Sequence, residues 1–74
     1  MDSRHYTYRV IWSVDDREFL GLCAEFPGLS WLHATMAGAL KGIAAVVAAA
    51  VKDMNQAGDV VPPALSTPRY SERL

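Results

Sequence analysis

Asp15, Asp16 and Glu18 crowd three carboxylates into one short stretch, and Glu25, Asp53 and Asp59 lie further along the chain. Carboxylates that converge on one or two divalent cations can activate water against a phosphodiester. The spacing here argues against convergence. Asp15 and Asp16 share a turn, Asp53 falls near the far end of a helix, and no acid sits mid-strand in the first extended run. These groups are expected on the solvated surface.

His5, His33 and Cys23 are the remaining candidate ligands or nucleophiles. Zinc sites bring paired ligands at close spacing, as in Cys-x-x-Cys, and no such pair occurs. Cys23 is expected to be a small buried hydrophobe. No catalytic, cofactor-binding or metal-binding residue is therefore expected. Tyr6, Tyr8 and Trp12 could stack bases on a sheet face, as in single-strand RNA binders. The same face is the better candidate for the core. Arg4, Arg9, Arg17, Lys41, Lys52, Arg69 and Arg73 are scattered, and the net charge is −1, so no basic stripe for a polyanion is expected.

These residues must be positioned by few elements. Tyr6–Ser13 is rich in aromatic and β-branched residues and reads as a strand. Period two puts Tyr6, Tyr8, Val10 and Trp12 on one face and Thr7, Arg9, Ile11 and Ser13 on the other. After the acidic turn, Glu18–Phe26 resumes alternation, which predicts a β-hairpin. Leu20, Leu22 and Ala24 take one side, while Phe19, Gly21 and Cys23 take the other. Pro27-Gly28 ends that strand, and Leu29–Leu32 is long enough for a third.

Thr35 is the expected N-cap of a helix from Met36 to near Ala57, with Gly58 as the left-handed C-cap residue. Met36, Leu40, Ile43, Val47, Val51 (or Ala50) and Met54 form its apolar stripe. Pro62 and Pro63 forbid further helix. The order is β-β-β-α: an α+β domain whose antiparallel three-stranded sheet carries one long helix across one face. The tail from Ala64 reads as a linker or a short fourth strand.

With 74 residues, the chain is one small domain whose own core is marginal. A single cysteine offers no intrachain disulfide, which leaves association as the remaining staple. Ten of the eleven alanines lie between Ala34 and Ala64, and the helix back is nearly bare of charge. Gly42, Ala45, Ala48 and Ala49 are the candidate oligomer interface, with the sheet edge as another. Alanine's helix propensity alone is the competing explanation. The N-terminus lacks the apolar stretch of an export signal, and the longest run without a polar side chain falls short of the ~20 residues that cross a bilayer. A cytoplasmic location is expected.

Tyr6-Thr7-Tyr8-Arg9-Val10-Ile11-Trp12, the acidic turn, Glu25-Phe26-Pro27-Gly28-Leu29, and Thr35 with Ala39-Leu40 follow one another in an order that resembles the HicB-like antitoxin family. The resemblance covers roughly residues 6–65, and Phe26-Pro27-Gly28-Leu29 is its most diagnostic part. It implies a partial ribonuclease-H-like fold without a working nuclease site, hence no enzyme. It implies a type II toxin–antitoxin pair in which the domain binds and blocks a small HicA-like toxin that cleaves mRNA. Ala37-Gly38 stand where the family's helix usually opens with an acidic pair. Within the linker-like tail 66–74, Ser66-Thr67-Pro68-Arg69-Tyr70-Ser71 resembles a junction to a DNA-binding domain, and direct DNA binding is not expected of this chain. Against that partner, Trp31 is the expected anchor and Asp15, Asp16 and Glu18 the expected steering charges. The alternatives are an oligomeric orphan scaffold of the same fold, and a degenerate RNA-binding or nuclease protein.

Overall fold

A computed structural model describes residues 5–64. Three strands, β1 (Tyr8–Ser13), β2 (Glu18–Cys23) and β3 (Ser30–His33), precede the helix α1 (Met36–Ala57). The sheet is antiparallel in the order β1-β2-β3, as the alternation predicts. The fold is α+β, with one helix on one sheet face.

Register decides which residues meet. Tyr8 pairs with Cys23, Val10 with Gly21 and Trp12 with Phe19, and across the other seam Gly21 pairs with Trp31 and Phe19 with His33. These residues share the helix-facing side. Arg9, Ile11 and Ser13 alternate with them and lie opposite Leu22, Leu20 and Glu18, while Leu20 and Leu22 pair with Leu32 and Ser30. That second set makes up the other face, which no described element covers.

β2 ends at Cys23, earlier than the expected Phe26. The Glu25 side chain explains the difference. Its carboxylate accepts from the Thr7 amide at 2.9 Å and from the Thr7 hydroxyl at 3.2 Å. A side chain thus takes the donor that a longer ladder would have paired, while Ala24 N–H still reaches Thr7 O at 3.0 Å. β1 correspondingly starts at Tyr8, and Tyr6 turns inward to become one of the most buried residues.

The helix has the expected bounds. The Thr35 hydroxyl accepts from Gly38 N–H at 3.0 Å, satisfying an amide that the first turn leaves unpaired. At the other end Gly58 has φ 78°, with Gly58 N–H on Asn55 O and Asp59 N–H on Met54 O. This is the paired C-terminal pattern that a left-handed glycine permits.

The stripe differs from expectation in its first half. The buried helix residues are Ala39, Ile43, Val47 and Val51, whereas Met36 and Leu40 are exposed. The close approach to β2 explains this. A Cβ on Gly21 would sit 2.5 Å from the Ala39 carbonyl oxygen and 2.8 Å from Ile43 Cγ2, so the helix rests directly on β2 through Ala39 and Ile43. Tyr6, Cys23, Ile43, Val47, Val51 and Ala64 form the core, with Tyr8, Phe26, Leu29 and Val61 packed against it. The Tyr6 hydroxyl donates to Pro62 O at 2.6 Å, tying the segment after the helix to the start of the sheet. Among the described residues there is no fourth strand, and the tail that might supply one lies outside them.

Candidate protein-binding surface

The β1–β2 hairpin closes at Ser13 and Glu18 through the four residues between them. Arg17 takes the left-handed conformation (φ 55°) and its amide donates to Ser13 O at 2.8 Å. The Ser13 hydroxyl donates to the Asp16 carboxylate at 2.8 Å. Val14 at the tip is 76% exposed, and Asp15, Asp16 and Arg17 are exposed around it.

Trp12 stands at the base of this hairpin. Period two puts it on the core face with Tyr6, Tyr8 and Val10, but 51% of it is exposed. The helix crosses elsewhere: Gly38 faces the His33 ring, Gly42 faces the Trp31 indole, and Ala39 and Ile43 close on Gly21. It therefore lies over β2 and β3 and leaves this end of β1 open. Trp12 packs edge-on against Phe19, with ring centroids 5.0 Å apart. The period-two rule assigned the face correctly and carried no signal about where along the strand the helix would stop covering it.

Trp31, the expected anchor, is 44% exposed, and its ring lies against Gly42 of the same chain. The close neighbour at that glycine is this indole rather than a second backbone. Gly42 is thus partly covered from within, while Ala45, Ala48 and Ala49 remain exposed on the helix back. Asp15 and Asp16 lie in the hairpin turn next to Glu18, which pairs with Ser13 on the sheet face opposite Trp12. Trp31 is not with them, because it sits on β3 across the width of β2.

The other candidates have structural placements. Cys23 is a free, buried thiol whose Sγ lies 3.4 Å from Glu25 Oε1, and burial pushes its pKa above the ordinary value. His33 Nδ1 accepts from Thr35 N–H at 3.1 Å, just ahead of the helix. Among the described residues no three His, Cys, Asp or Glu side chains gather as a metal site would require. A shallow cleft of about 300 Å³ lies among Arg9, Leu22, Cys23, Ala24 and Pro27. No helix among the described residues is long and apolar enough to cross a membrane.

No protein-family model matches the chain, and no curated protein or solved structure matches it either. The surface must be read from its own chemistry. Its chemistry is an exposed tryptophan braced by a phenylalanine at the base of a turn that carries two exposed aspartates.

Proposed function

We propose that this chain is a cytoplasmic, non-enzymatic binding domain of the HicB-like antitoxin type, which masks a small basic mRNA-cleaving toxin. The observation that carries the reading is the hairpin end, where half-exposed Trp12 rests on Phe19 at the base of a turn that exposes Val14, Asp15 and Asp16. Aromatic anchors hold a complex together, whereas charges mainly speed encounter and exclude wrong partners. Asp15, Asp16 and Glu18 steer the toxin, Trp12 anchors it, and Trp31 offers a second anchor at the β3 edge. The order of motifs along residues 6–65 supports the same reading. A free, buried thiol suits a reducing compartment. The domain also associates with itself in this reading. Co-expression with any small basic protein encoded beside it tests the assignment: the two should co-purify, and that protein's cleavage of RNA should stop. Failure to bind any such neighbour would remove the antitoxin assignment.

A further inference from the structure

The face of the sheet turned away from the helix carries Ile11, Leu20 and Leu32 in one row across all three strands. Ile11 is 43% and Leu32 40% exposed. One side of that row holds Arg9, Leu22 and Ser30, and the other holds Ser13 and Glu18. A cation and an anion thus flank the apolar row on opposite sides.

We propose that this face binds a second copy of the same chain, sheet against sheet, about a two-fold axis along the Ile11–Leu20–Leu32 row. This goes beyond toxin binding and gives the self-association in the proposed function a defined surface. A two-fold interface must be complementary to itself. Rotation about that row lays apolar row on apolar row and reverses the strand direction. Arg9 of each copy then comes over the end of the other copy that bears Ser13 and Glu18, and the pairing occurs twice. Aligned sheets pack about 10 Å apart, a gap that aliphatic side chains from both faces fill.

The helix back is the weaker surface for a second copy. Its exposed ridge runs from Lys41 through Ala45, Ala48 and Ala49 to Lys52. An antiparallel two-fold pairing there would place Lys41 against Lys52 of the partner, like charge on like charge. The sheet face offers larger apolar groups and opposite charges instead.

Sedimentation equilibrium of the full chain tests this without any toxin, so its outcome is separable from the antitoxin assignment. The wild type should sediment as a dimer. Ile11→Lys and Leu32→Lys should give monomers that keep the helical circular dichroism. Arg9→Glu and Glu18→Arg should each weaken dimerisation about tenfold, and the double variant should recover most of the loss, as a direct charge pair requires. Ala45→Glu should leave the dimer intact. A wild type that stays a folded monomer at the highest concentration would overturn the proposal. So would a dimer indifferent to Ile11→Lys and Leu32→Lys, or one broken by Ala45→Glu.

Discussion

The indole of Trp31 lies across Gly42, in the space that a Cβ at position 42 would need. His33 bears the same relation to Gly38, one helical turn earlier. Two β3 side chains thereby seat the first half of the helix, and the two helical glycines exist for contacts inside the chain. A glycine in a helix interior costs about 1 kcal/mol relative to alanine, so the packing of these rings offsets a real penalty.

Gly21 and Gly42 are expected to respond differently to alanine. At Gly21 the new methyl meets the Ala39 carbonyl and the Ile43 branch, and neither can move without shifting the helix. Gly21→Ala should destabilise by about 1–3 kcal/mol in urea unfolding, as overpacking does. At Gly42 the obstacle is a half-exposed ring that can swing away, and helix propensity returns up to ~1 kcal/mol. Gly42→Ala should therefore change stability little, while Trp31 fluorescence, read in a Trp12→Phe background, shifts to longer wavelength.

Arg17 is the one described non-glycine residue with positive φ. A side chain in the left-handed region costs about 1–2 kcal/mol, and glycine removes most of that while loosening the unfolded chain. Arg17→Gly should raise the urea midpoint by the equivalent of about 0.5–1 kcal/mol with an unchanged slope.

Tyr6 links stability to alkaline pH. Burial, then the charges of Glu25 and Cys23, push its pKa above the ordinary tyrosine value of 10.0. The unfolded chain therefore loses this proton first. The contribution to stability is complete below about pH 10 and declines as pH rises through the higher folded value. Cys23, raised mainly by burial, acts in the same direction from its own ordinary value of 9.0 upward. Melting temperatures should fall above pH 9. Tyr6→Phe should flatten the upper part of that fall, at a cost near neutral pH of about 1 kcal/mol for the lost bond to Pro62 O.

The elements were legible because each has a strong local cause. Alternation marks the strands, Thr35 and Gly58 bound the helix, and Asp15-Asp16 mark the hairpin. What pattern could not convey was how the layers are placed against each other. The exposure of Trp12, the burial of Ala39 in place of Leu40, and the seat of Trp31 on Gly42 all follow from where the helix crosses the sheet. Gly21 sets that crossing by having no side chain, which is a signal only once its partner is known. The early end of β2 was hidden for a related reason, since Glu25 reaches Thr7 across a gap that no period records.

The most direct test of the proposed binding role is the kinetics of the full chain with any small basic toxin-like protein encoded beside it. Trp12→Ala, verified as folded by circular dichroism, should speed dissociation about tenfold or more with little change in association rate. Asp15→Lys with Asp16→Lys should slow association instead, most strongly at low salt, where the Debye length is longest. Trp31→Ala should have the smaller effect of the two tryptophans, because part of its ring is already engaged by Gly42. Binding and neutralisation that are unchanged in both the Trp12→Ala and the hairpin-reversal variants would contradict the account.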